Sequence, residues 1–330
     1  MKFGPVQTPE AIGGILAHSL NAGGVRIRKG KVLAAADIEK LAAAGHATVT
    51  VARLEPGDIG EDQAAKTIAD AMVPEPAQVG LRLGAAATGR VNVYATGPGV
   101  LALDVSAIEA ANQIDPMITI ATLPDFSRTH ARCMVATVKI ISYGVTEAAV
   151  NDVANLLRGA MRVHPVVLKT ATLIQTTIGT ASVQKGEKAI AGRLSALGMT
   201  LCESVIVAHE TDVLATAVAK ASGDIVLILT GSATSDINDT APMAVRVAGG
   251  QIARFGMPVD PGNLLFLGSL GDKPVIGLPG CARSPAPNGA DWVLERVVCG
   301  LGVTNTAMAA MGVGGLLKDS PARGMRREQK

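Results

Sequence analysis

Residues 224–242 read DIVLILTGSATSDINDTAP. The five apolar residues between Asp224 and Thr230 make a short strand of the kind buried on both faces of a sheet. The strand gives way to Thr230, Gly231, Ser232, Ala233, Thr234 and Ser235, all small, and a helix is entered near Asp239 and Thr240. A strand, a small-residue turn and a helix in that order form one half of a βαβ unit.

Working outward, the same alternation holds from residue 166 onward. VVLKTATLIQT reads as a strand, SVQKGEKAIAGRLSALG as a helix, LCESVIVA as a strand and TDVLATAVAKAS as a helix. About 140 residues of this pattern predict an α/β fold with a doubly wound, mostly parallel sheet in the C-terminal half. In such sheets ligands bind beyond the carboxyl ends of the strands. Two loops therefore carry the candidate chemistry.

In the first, residues 230–235 let backbone N–H groups approach a phosphate or another oxyanion closely. Asp236 and Asp239 add acceptors that could hold Mg²⁺, orient a nucleophile or take a proton, so both are candidate catalytic residues and Asp239 a candidate metal ligand. The structural alternative for Asp239 is an N-cap, with Pro242 in the first helical turn. The second loop, GLPGCARSPAPNG at 277–289, follows the strand KPVIGL. Pro279 and Gly280 force a turn, and Arg283 with Ser284 can bind a phosphate or carboxylate through charge-assisted hydrogen bonds. A proline-rich connector with Arg283 turned to solvent or a carboxylate is the alternative. Cys281 reads as a packed small residue, since no histidine is near it in sequence to activate it.

Composition excludes several classes. Lys+Arg number 30 against 28 Asp+Glu, and the aromatics are 4 Phe, 2 Tyr and 1 Trp, so the basic field and stacking platforms of nucleic-acid binding are missing. Four scattered cysteines without a C-x-x-C pair, and histidines without i, i+4 spacing, argue against structural zinc and suit a reducing compartment. The apolar runs are interrupted by Lys169 and several threonines, and the N-terminal stretch by Glu10 and His18. These give neither a membrane span nor a signal segment, and the expected location is cytoplasmic.

Upstream, the chain reads as smaller α+β units. GGVRIRKGKVLAAADIEKLAAAGHATVTVARL gives a strand, a turn at Lys29-Gly30, a helix capped by Asp37, and a second strand. GEDQAAKTIADAM is a helix, and Pro74 and Pro76 read as a linker. The expected organisation is an N-terminal α+β unit at 1–76, a β-rich α+β unit with a linking helix at 77–163, the α/β domain at 164–302, and a frayed basic tail at 303–330 ending in SPARGMRREQK.

The strings LILTGSATSDINDTAP, GMPVDPGNLLFLG and GDKPVIGLPGCARSP resemble the molybdopterin-binding domain shared by molybdopterin adenylyltransferases, molybdopterin molybdotransferases and gephyrin-type proteins. The resemblance covers about residues 166 to 302. It is carried by Thr230-Gly231, by Asp239 at the position of the family's functional Asp, and by Pro279-Gly280. IRKGKVLAAADIEKLAAAGHATVTV is similar to a segment that precedes this domain in the molybdotransferases. The fit through GCARSPAPNGADWVLERV is to a molybdopterin-binding module that precedes a cytidylyltransferase-type domain in longer proteins. Departures are Ser232 for a second glycine, Ala233-Thr234 for the usual continuation, Cys281-Ala282 for Asn-Pro, and no acidic motif in QTTIGTAS.

The resemblance implies binding of molybdopterin, or its nucleotide-linked form, in molybdenum cofactor biosynthesis. As a transferase the chain would hold the phosphate at 230–235 and 279–284 and use Asp239, with Mg²⁺, for adenylyl transfer or molybdate insertion. As a non-catalytic carrier it would present the cofactor to a separate transferase or molybdoenzyme. A nucleotide-pyrophosphate hydrolase on the same fold is the third reading. The implied ligand is a pterin phosphate or nucleotide, and a homo-oligomer is compatible with all three.

Overall fold

In the computed structural model, residues 1–179 and 184–318 are described. The chain forms two compact units, one of Met1–Gly97 with Leu101–Val163, the other of Pro98–Val100 with His164–Lys330.

The first unit contains two apolar cores. In the smaller, Lys2–Gln7 and Ile15–Leu16 pair antiparallel with Thr48–Arg53, and the helix Ala35–Ala43 closes over Ala11, Leu16, Leu33, Leu41, Val49 and Val51. Asp37 is not the N-cap expected from sequence. It lies inside the first turn, where its carboxylate accepts the Ala34 N–H at 3.1 Å and meets Lys31 Nζ at 2.5 Å. Those two partners hold its carboxyl below the usual range, with the Lys31 contact the larger cause.

The larger core lies under an antiparallel sheet ordered Ile118–Thr122, Met134–Ile140, Arg90–Ala95, Leu81–Leu83. Alternate residues such as Val91, Val93, Val138 and Ile140 point inward, as the period of two requires, onto Ile68, Met72, Ile108, Val150 and Val153. The helix Glu61–Met72 thus belongs to this core, although Pro74 and Pro76 after it read as a linker. Val73 is itself buried, and Pro74 after it is exposed.

The second unit holds a six-stranded sheet. Its elements in chain order are β1 (Thr170–Thr177), α1 (Gln184–Ala196), β2 (Thr200–Ala208), α2 (Thr211–Lys220), β3 (Ile225–Leu229), α3 (Thr240–Val247), β4 (Gln251–Phe255), β5 (Phe266–Leu270), β6 (Lys273–Leu278) and α4 (Gly289–Val298). The order is β2-β1-β3-β6-β5-β4, with β2, β1, β3 and β6 parallel and β5 antiparallel to both its neighbours. The α/β class expected from the strand and helix alternation is present, and the sheet is mixed.

All five residues of β3 are buried, because each face of the sheet is covered. Leu227 and Leu229 join Leu173, Ile276 and Leu278 against Ile190 and Leu194 of α1 and Val293, Leu294 and Val298 of α4. Val226 and Ile228 join Ile174 and Val275 against Leu214 and Val218 of α2 and Ala241, Ala244 and Val245 of α3. The segment after Gly302, expected to begin the tail, packs on the first of these clusters through Met308 and Met311. The terminal run SPARGMRREQK lies outside the described residues, as do the last residues of QTTIGTAS. Among the described residues no helix is long and apolar enough to cross a membrane.

Candidate functional site

The carboxyl ends of β1, β3 and β6 bring the two sequence-predicted loops together. Arg283 Nη2 donates to the Thr230 carbonyl at 2.5 Å, joining the loop after β6 to the loop after β3. The guanidinium is half-buried, and desolvation lowers its pKa. It meets a backbone carbonyl rather than the solvent or carboxylate of the connector alternative.

The six small residues divide by direction. Thr230 and Thr234 are buried, and Thr230 Oγ1 lies 2.5 Å from the Ser232 carbonyl and 3.3 Å from Thr234 Oγ1, so these two hydroxyls brace the loop from within. Gly231, Ser232, Ala233 and Ser235 are exposed. Gly231 is required by close approach: a Cβ there would lie 2.8 Å from the Thr176 carbonyl, and its N–H donates to Thr176 Oγ1 at 2.8 Å.

Asp239 caps α3. Its Oδ1 accepts the Thr240 N–H at 2.7 Å and its Oδ2 the Ser235 N–H at 3.1 Å, so one carboxylate closes the loop onto the helix start. Asp236 is exposed and accepts the Asn238 N–H at 2.7 Å. Among the described residues no group of three or more His, Cys, Asp or Glu could hold a metal ion. A Mg²⁺ here would need ligand phosphate oxygens beside Asp239, a donor set that Mg²⁺ commonly accepts.

On the β6 side, Pro279 is buried and opens a short 3-10 turn, Gly280–Arg283. Gly280 and Ser284 are exposed, Cys281 half-buried. Ser284 Oγ accepts the Ala286 N–H at 3.2 Å.

Sequence reasoning missed the residue that shapes this loop. Arg193, in α1 and 7% exposed, donates to Asp291 Oδ1 at 2.7 Å and to the carbonyls of Ala189, Ala282, Ser284 and Ala286 at 3.3, 2.9, 2.8 and 3.1 Å. Also missed was Gln175 on β1, 1% exposed, whose amide oxygen and nitrogen have no hydrogen-bond partner among the described residues. It lies under the first turn of α1, where a Cβ on Gly186 would stand 2.7 Å from its Oε1.

Residues 5–53 match a family model described as a domain of unknown function, DUF8806, which coincides with the smaller core of the first unit. No curated protein matches the chain. Among solved structures the chain is similar to a molybdopterin biosynthesis MoeA protein from Pyrococcus horikosii, at TM-score 0.32 and 11% identity over 92% of this chain and 77% of that one. It is similar to a molybdenum cofactor biosynthesis protein from Pyrococcus furiosus, at TM-score 0.24 and 12% identity over 90% and 61%. The protein CinA, of unknown function, from Thermoplasma acidophilum gives TM-score 0.28 and 17% identity over 40% and 98%. Likenesses this loose fix neither fold nor function.

Proposed function

We propose that the second unit, with its sheet read as doubly wound, binds a phosphorylated pterin, molybdopterin or its nucleotide-linked form, in molybdenum cofactor biosynthesis. The family resemblance of residues 166 to 302 supplies the ligand class. The observation that carries the placement is the Arg283–Thr230 bond, which sets a half-buried guanidinium against a small-residue loop, exposed at Gly231, Ser232, Ala233 and Ser235, at the ends of parallel strands. A phosphate lying there would take hydrogen bonds from Arg283 and from the N–H groups of the 230–235 loop not already used by Thr176 and Asp239.

Binding without turnover, as a carrier that hands the cofactor to a transferase or molybdoenzyme, is the form favoured by Asp239. Both its oxygens accept backbone N–H groups, which is what a cap does. In the transferase form Asp239 would hold Mg²⁺ jointly with the ligand phosphate, and the ion would neutralise phosphate charge. Asp236 would be the second carboxylate. Mass spectrometry of small molecules that co-purify from molybdate-grown cells tests the ligand class: a pterin phosphate supports the reading, and an unrelated ligand overturns it. Titration with ATP and Mg²⁺ then separates carrier from transferase by the appearance of an adenylylated product.

A further inference from the structure

The carboxyl edge also holds an imidazole. His209 follows β2, and its Nδ1 lies 2.8 Å from Thr176 Oγ1, the same oxygen that accepts the Gly231 N–H. Thr176 is 1% exposed, so its single hydroxyl hydrogen needs an acceptor, and Nδ1 is the one at hand. In the neutral ring this network assigns the proton to Nε2. His209 is half-buried, and among the described residues its Nε2 has no protein partner. An N–H donor without a partner among the described residues therefore stands on a half-buried ring at the end of β2, fixed in tautomer by the same hydroxyl that anchors Gly231.

Charge is uneven along this edge. Neighbouring strands lie about 4.8 Å apart, so the ends of β2 and β6 are separated by about 14 Å across β1 and β3, more than one phosphate fills. Arg283 stands at the β6 end. At the β2 end the exposed Glu210 and Asp212 follow His209. Asp236 and Asp239 also lie toward the phosphate side, where the Arg283 guanidinium supplies a compensating positive charge; beside Glu210 and Asp212, like charges disfavour a phosphate.

Resting on the pterin phosphate reading, we infer that His209 Nε2–H binds the uncharged, acceptor-bearing end of the ligand, a ring carbonyl or ring nitrogen, while the phosphate lies toward Arg283. Thr176 registers the two ends, since one hydroxyl touches both His209 and Gly231 of the phosphate-side loop.

The test is calorimetric titration of the full chain at pH 8 with neopterin monophosphate and, separately, inorganic phosphate. In His209→Asn the side-chain oxygen replaces Nδ1 as the acceptor for Thr176, but the outer N–H is gone. The expected result is an unchanged Tm, a loss of about 3- to 10-fold in neopterin monophosphate affinity, the range for one neutral hydrogen bond, and unchanged phosphate affinity. His209→Ala should lose the same ligand affinity and also lower Tm, because Thr176 then loses its acceptor. In the wild-type chain, the His209 Nε2 nitrogen resonance should move with neopterin monophosphate and not with phosphate, a readout independent of any variant's folding.

Wild-type affinity for both probes in His209→Asn, or an equal loss for both, overturns the inference while leaving the pterin reading in place. A wild-type chain that binds neither probe, or binds neopterin monophosphate no better than phosphate, overturns both.

Discussion

Arg193 and Asp291 form an ion pair at 2.7 Å in which both side chains are largely buried, 7% and 14% exposed. The other carboxylate oxygen of Asp291 accepts the Asn288 N–H at 2.8 Å, so the pair is joined to the start of α4. Removing one partner leaves a buried charge unpaired. Arg193→Ala should cost about 3–5 kcal/mol, and Arg193→Lys should recover only part, since an ammonium cannot present five donors in a plane. Urea unfolding measures both. A loss below about 1 kcal/mol for Arg193→Ala would place the pair among ordinary surface bridges.

Asp239→Asn is not neutral for the cap. With both oxygens accepting N–H groups, the amide keeps one bond and turns an N–H toward the other donor. The expected loss is about 1 kcal/mol, close to that of Asp239→Ala. Thermal melts of the two variants should nearly coincide; an Asn variant as stable as wild type would show that the Ser235 contact carries no weight.

Gly231 and Ser232 are adjacent and should respond oppositely to substitution. Gly231→Ala drives a Cβ to within 2.8 Å of the Thr176 carbonyl and should lower Tm by several degrees, as overpacking against backbone costs about 1–3 kcal/mol. Ser232→Gly changes an exposed loop position and should leave Tm nearly unchanged. If Ser232 Oγ touches the ligand, Ser232→Gly weakens pterin phosphate binding by about 0.5–1.5 kcal/mol, and calorimetry reads it directly.

Much of this edge is legible in sequence and some is not. DIVLILT followed by small residues marks a buried strand and a close backbone turn because burial on both faces and lack of bulk are local properties. The Asp239 cap is also local. Arg193 is not, since a charge inside GEKAIAGRLSALG reads as a solvated helix face until α4 and the 279–288 loop arrive to bury it. Thr176 and His209 are brought together by strand register, 33 residues apart. Thr230 and Thr234 look like ligand-facing hydroxyls in the string, and only their burial shows that they brace the loop.

Gln175→Met should stabilise the protein. The thioether fills nearly the same volume without two desolvated polar atoms, each of which costs about 1–3 kcal/mol when unpaired. A rise in the urea midpoint is expected; a fall would mean that the amide is satisfied in solution.

Acid should destabilise the second unit from the amino ends of its strands. Glu203 accepts the N–H and hydroxyl of Ser222 and the Thr172 hydroxyl, and Asp224 the N–H groups of Lys169 and Thr170. These backbone bonds are the main cause holding both carboxyls below their ordinary values. A depressed folded value stabilises above the unfolded value near about 4 and is lost as pH falls through the folded one. Stability should be level from pH 7 to 5 and fall below about pH 4. A urea midpoint unchanged down to pH 3 would remove this contribution.

Because Arg193 grips the carbonyls of Ala282, Ser284 and Ala286, it dictates the course of that loop without reading its side chains. Ser284, Pro285 and Pro287 face outward from a path already set. Shape and chemistry are thereby uncoupled along this rim, and its outward residues can be exchanged to retune what the site accepts while the scaffold beneath stays as it is.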